Sequence, residues 1–285
     1  MWRNLLPLAG CIPVAVLLVV VCFHRWQRKQ AGERTPLTEK LLRPPGHSLS
    51  QRIEATGEEY NTWLFTGFLA AFFSVGAWKY TPSDWVGGTL LLALFGIGAG
   101  ACTVIAWRKL SEIRSCRLGL LGEQAMAEQL RALVSKGYQV FHDVPGDGKW
   151  NVDHVAVGPA GVFAIETKYR TKKPGPAGGP DHEAVFDGKG IAFPGWNDVE
   201  TIAQARRNAK WLGGMLSKAT GEAVEAQPIV ALPGWWVTLK AKADVIVLSG
   251  KQVAGFIGKE PTKLSPKVIQ QIVYQLDQRC RTVEF

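Results

Sequence analysis

The chain has 285 residues, a formal net charge of +9 and 11 Trp, with 47% hydrophobic residues. That length accommodates one full domain and a smaller part, and the crowding of apolar residues into the first 107 positions excludes a chain solvated along its whole length. The five cysteines, Cys11, Cys22, Cys102, Cys116 and Cys280, lack zinc spacing and three lie in apolar runs, which excludes a disulfide framework and a structural zinc site.

Leu5 to Phe23 is nearly all apolar, broken by Pro7 and Pro13 and followed by His24, Arg25, Arg28 and Lys29. It is about the ~20 residues that cross a bilayer, so residues 1–24 are expected to form an uncleaved anchor with its N-terminus outside. Residues 25–61 carry seven basic side chains with Pro36, Pro44, Pro45 and Gly46, and read as a flexible cytoplasmic linker. Thr62 to Trp78 and Trp85 to Trp107 are apolar runs separated by Lys79 to Asp84 and bordered by Trp63, Trp78, Trp85 and Trp107. A transmembrane hairpin over residues 62–107 is expected, its rings at the interface. The glycines at 96, 98 and 100 fit close helix packing there. Three spans place residues 108–285 in the cytoplasm, at the inner (cytoplasmic) membrane. The basic residues of both flanking segments agree with that.

Beyond Arg108 the pattern is α/β. Gly119 to Ser135 has helical apolar spacing, closed by Lys136-Gly137. Tyr138 to Val144 reads as a strand. Asn151 to Val157 and Val162 to Lys168 form a hairpin across Gly158-Pro159-Ala160-Gly161. A second hairpin, Ala184 to Phe193, turns at Asp187-Gly188-Lys189-Gly190. Asp198 caps a helix running to about Lys218 that Gly221 closes. Pro228 to Leu232 and Asp244 to Leu248 suit buried strands, and Pro266 to Arg279 a final helix.

The hairpin at 151–168 carries the chemistry. If Val157 pairs with Val162, Asp153 stands opposite Glu166, and Asn151 opposite Lys168 on the same face. Facing carboxylates about 5 Å apart at Cβ repel unless a cation or a proton lies between them. Oxygen ligands at that spacing suit Mg²⁺ or Mn²⁺. Lys168 on the same side could orient or deprotonate a metal-bound water, or offset phosphate charge. Such a set suits hydrolysis of a phosphodiester. His154 alternates to the opposite face.

Gly119-Leu120-Leu121-Gly122-Glu123, Asn151-Val152-Asp153-His154-Val155, Gly158-Pro159-x-Gly161-Val162, Ile165-Glu166-Thr167-Lys168 and Gln204, in this order, resemble the nuclease-related domain, a branch of the restriction-endonuclease-like nucleases. The resemblance covers about residues 117–260. It implies a mixed sheet flanked by helices, preceded here by the three predicted transmembrane helices. It also implies that Gly119 to Glu123 open a helix, that Asp153 and Glu166 bind metal, that Lys168 serves the attacking water, that Glu123 completes or supports the metal shell, and that Gln204 steadies the site or substrate. Arg170 to Pro180 is longer and richer in Gly and Pro than the turn expected there.

The expectation is a membrane-anchored, Mg²⁺- or Mn²⁺-dependent deoxyribonuclease. The alternatives are a catalytically silent, membrane-tethered nucleic-acid-binding or assembly module, and a subunit of a DNA-transfer or envelope complex. Residues 108–285 are about +6, with 24 Lys and Arg against 18 Asp and Glu. Lys172, Lys173, Arg206, Arg207 and Lys210 are the expected nucleic-acid contacts. The same charge could meet anionic lipid.

Overall fold

The computed structural model describes residues 23, 39–80, 85–172 and 182–283. They divide into two units, Glu59–Arg108 and Lys40–Glu58 with Lys109–Glu284. The expected first span, the segment 24–38, Lys173 and the Gly/Pro-rich tract at 174–180 lie outside the described residues.

Two long helices are continuous through the runs expected to be a hairpin, α1 (His47–Tyr80) and α2 (Trp85–Leu130). Within Glu59–Arg108 they pack where Gly67 faces Cys102 and where the Phe73 and Phe95 rings lie 6.2 Å apart. Leu90, Leu94 and Ile97 are exposed. Among the described residues, where two of the three expected spans fall, one helix, Val86–Lys136, is long and apolar enough to cross a membrane. The run in α1 falls short because Thr62, Thr66, Gly67, Ser74 and Gly76 dilute it.

Two further expectations are corrected. Much of the segment read as a linker is ordered: β1 (Leu41–Leu42) pairs antiparallel with β11 (Arg281–Val283), and α1 starts at His47. Charge and proline suggested a tether, but long-range partners fix this stretch. Gly119 does not open a helix; it lies deep inside α2, whose 108–118 segment contains no Pro to stop it. A short 3₁₀ turn, Arg131–Lys136, ends at Gly137, φ +80.

The principal sheet is mixed, in the order β10-β8-β4-β3-β2. Its strands are β2 (Gln139–Pro145), β3 (Asn151–Gly158), β4 (Gly161–Thr167), β8 (Ala226–Leu232) and β10 (Ile246–Ser249). β2, β3 and β4 are antiparallel neighbours, whereas β8 runs parallel to β4 and β10 parallel to β8. The hairpin register is the expected one, Val157↔Val162 and Gly158↔Gly161, with its last pair at His154↔Ile165.

Helices cover both faces. On one, α3 (Glu200–Thr220) and α5 (Pro266–Cys280) bury Ala209, Leu212, Leu216, Ile272 and Leu276 against Val155, Val157, Val162 and Ala164. On the other, Met126 and Leu130 of α2 and Val253 and Ile257 of α4 (Gly250–Ile257) meet Ala156, Phe163, Ile165 and Ile229. A second sheet, β7-β6-β5-β9, joins β5 (Glu183–Phe186), β6 (Ile191–Phe193), β7 (Trp196–Asp198) and β9 (Trp236–Leu239). Its hairpin turns at Asp187, whose carboxylate accepts the Lys189 and Gly190 N–H groups.

Candidate functional site

β3 and β4 bring the first two carboxyls to the same place. Asp153 sits just before the last paired residue of β3 and Glu166 just after the last paired residue of β4. At this open end of the ladder the Thr167 N–H donates to Asp153 Oδ2 instead of to a strand carbonyl, at 2.8 Å. Lys168 follows. Its N–H donates to the Ala231 carbonyl at 3.0 Å, extending the β4–β8 pairing past the strand. The site therefore lies at the carboxyl ends of neighbouring parallel strands, where open α/β sheets place their crevices.

α3 closes over it. Asp198 accepts the Thr201 N–H and hydroxyl and fixes the start of the helix, as its sequence position suggested. Gln204 and Asn208, one turn apart, then face the sheet. Lys168 Nζ donates to Glu166 Oε1 at 2.7 Å and to Gln204 Oε1 at 3.1 Å. Asn208 Nδ2 donates to the other Glu166 oxygen at 3.0 Å. Asn208 is a site residue that sequence reasoning missed; its i+4 spacing from Gln204 was the available signal.

Glu123 comes from α2. It is 5% exposed, and its Oε2 is buried with no hydrogen-bond partner. Burial, then the charges of Asp143 and Glu166, push its carboxyl up to about 8. Asp153 is raised well above its ordinary value by burial, Glu166 and Glu123. Glu166 is also raised, because burial outweighs Lys168 and Asn208. For Lys168, burial alone would favour the neutral amine, but Glu166 and Asp153 reverse that and hold it charged. Three buried carboxyls thus face one lysine, and not all of them can ionise without another cation.

Oxygen donors, buried negative charge and an unpartnered carboxyl oxygen fit a small hard divalent ion. The fit is one of donor chemistry: among the described residues no three His, Cys, Asp or Glu side chains stand in a ready-made ligand cluster. His154 lies on the opposite face as expected, fully buried, its Nδ1 2.8 Å from His142 Nδ1. Burial keeps both rings neutral, with His142 lowered to about 4.

Of the expected nucleic-acid residues that are described, two are held in ion pairs. Arg206 is ion-paired with Asp244 at 2.6 Å and Arg207 with Glu200 at 2.6 Å. Lys210 is exposed on the same helix, beside a cleft of about 750 Å³ that Arg207, Lys210, Trp211, Lys218 and Arg279 help to line. Lys172 lies over the Trp235 ring at 5.9 Å.

Residues 118–233 match the family model of the nuclease-related domain (NERD). That stretch holds Glu123, Asp153, Glu166, Lys168, Gln204 and Asn208. No curated protein and no solved structure matches the chain.

Proposed function

We propose that the protein is a metal-dependent nuclease that hydrolyses phosphodiester bonds of DNA and is anchored to a membrane by its apolar helices. The observation that carries the chemistry is the burial of Glu123, Asp153 and Glu166 beside Lys168, within a nuclease-related domain. Asp153, Glu166 and Glu123 would hold Mg²⁺ or Mn²⁺. The bound ion supplies an acidified water and a counter-charge for the phosphoryl oxygens. Glu166, held at one oxygen by Lys168 and at the other by Asn208, keeps a fixed orientation. Lys168, held charged, is suited to orienting the attacking water and offsetting phosphate charge, and less suited to removing a proton. Gln204 accepts a second hydrogen bond from the ammonium and helps to fix it. Lys210 and the edge of α3 offer the phosphate backbone a cationic approach.

The membrane reading rests on the apolar run of α2 from Val86, which leaves Leu90, Leu94, Ile97 and Trp107 exposed. The cytoplasmic side is proposed from the basic residues that flank it. The ready-made ligand cluster missing among the described residues favours a second reading, a tethered module that binds nucleic acid without cutting it.

The full chain, purified in detergent, is incubated with plasmid and linear DNA in Mg²⁺, Mn²⁺ or EDTA, beside Asp153→Ala and Lys168→Ala. Metal-dependent cleavage that falls to background in both variants is expected. Folded protein that binds DNA without cutting it selects the second reading.

A further inference from the structure

We propose that Arg43 to Ser48, the segment entering α1, is a positioning part of the candidate site although it lies outside the matched residues 118–233. The inference rests on the nuclease reading. Its pivot is Asp143, fully buried on β2, with φ +49. It stands between the pairs His142↔His154 and Val144↔Val152. Asp tolerates the left-handed region better than most residues, and such a position is held only when its surroundings fix it.

Four hydrogen bonds do so. Arg43 Nη1 donates to Oδ2 at 2.8 Å and the Ser48 hydroxyl to Oδ2 at 2.8 Å. The Ser48 N–H donates to Oδ1 at 3.1 Å and Asn151 Nδ2 to Oδ1 at 2.8 Å. α1 has no acidic residue in its first turn. Asp143 supplies from a distant strand the anion that a helix N-terminus favours. Arg43 is fixed in turn, its N–H donating to the Cys280 carbonyl at 3.0 Å and its Nε to Thr282 at 2.7 Å.

Between these two anchors the chain passes over the turn of α2 that carries Glu123. Gly46 adopts φ +71 so close to Leu120 that a Cβ would overlap its Cδ1. Leu120 and Glu123 are one turn apart on α2. The Gly46 backbone and the Asp143 charge both act on the Glu123 carboxyl. Leu49 reaches Gly119 on the same side. The strap therefore settles where Glu123 points, and with it the free Oε2 that the metal reading requires.

The test uses the full chain in detergent with three readouts: Mn²⁺ affinity by calorimetry, the kcat and KM of DNA cleavage, and the melting temperature. Arg43→Ala/Ser48→Ala is expected to weaken Mn²⁺ binding and lower kcat by roughly 10–100-fold, as loss of a supporting shell does, with KM for DNA little changed. Ser48→Thr, which keeps the hydroxyl, is expected to retain both. If the double variant does not fold, Ser48→Ala alone gives the reading. Unchanged Mn²⁺ affinity and kcat in a folded Arg43/Ser48 variant overturn the proposal. Asp153→Ala run alongside separates the two failures: retained cleavage there sinks the nuclease reading, whereas its loss beside an unaffected strap variant sinks only this inference.

Discussion

At the scale of single residues the site is an electrostatic conflict contained by a few hydrogen bonds. Asn208 is the clearest case. Its amide holds the Glu166 oxygen that Lys168 does not, and such a charge-assisted bond contributes about 1.5–3 kcal/mol. Asn208→Ala is expected to lower the melting temperature accordingly, and Asn208→Asp to lower it further by setting a fourth carboxyl beside Glu166. A melt of Asn208→Asp no worse than that of Asn208→Ala would contradict this. Glu123 gives a pH prediction. Its folded pKa, about 8, lies above its ordinary 4.5. The folded state therefore binds the proton more tightly, and metal-free stability is present below about pH 4.5 and lost as pH rises through 8. Asp153 and Glu166, also raised, act in the same sense. In EDTA, melts from pH 6 to 9 are expected to fall with pH, and Glu123→Gln to flatten that slope; a steeper slope in the variant would have the wrong sign. Asp153, Glu166 and Lys168 were legible in the sequence because strand alternation puts all three on one side of a hairpin. Asp143 was not, since its partners Arg43 and Ser48 stand 100 and 95 positions away.

Elements differ in how far local sequence decides them. The 151–168 hairpin was readable in its turn and register, because a Gly-Pro-Ala-Gly turn between apolar alternations leaves a single register that buries the valines, but the expected pairs Asp153↔Glu166 and Asn151↔Lys168 lie beyond the last one formed, His154↔Ile165. The Gly221 stop of α3 was equally plain, and Asp198, one residue before the Val199 cap position, accepts the Thr201 N–H there. α2 was misread as two pieces, an apolar run ending at Trp107 and a helix opening at Gly119, whereas it is continuous from Trp85 to Leu130. Gly122 is the test. A Cβ there would run into Tyr169, just past β4, so Gly122→Ala is expected to destabilise by about 1–3 kcal/mol through overpacking, despite alanine's better helix propensity. A melting temperature that rises in Gly122→Ala would show that propensity wins and that the helix does not lie so close. β1, β7, β9, β11 and α4 escaped sequence reading because each is short and gains its stability from a partner strand or the core.

Over the whole molecule the apolar helices and the basic α/β unit suggest two different modes of membrane attachment, which salt separates. Charge attraction is screened within about 10 Å at 0.1 M salt, whereas apolar burial is not. The full chain is expected to stay with the membrane fraction at 1 M NaCl and to leave it in detergent; release by salt would mean attachment through the basic surface instead. The sequence by itself determined the mixed α/β class, the apolar runs and the hairpin that brings Asp153 and Glu166 to the same end, just beyond its last pair, because these follow from periods of two and of 3.6 and from turn chemistry, all local rules. Only the tertiary structure decided that Lys40–Glu58 belongs with the α/β unit, that Glu123 arrives from the interior of a 46-residue helix, and that Asn208 and Asp143 join the polar network. These depend on contacts between distant parts of the chain, where burial of a charge must be matched by partners that no local pattern specifies.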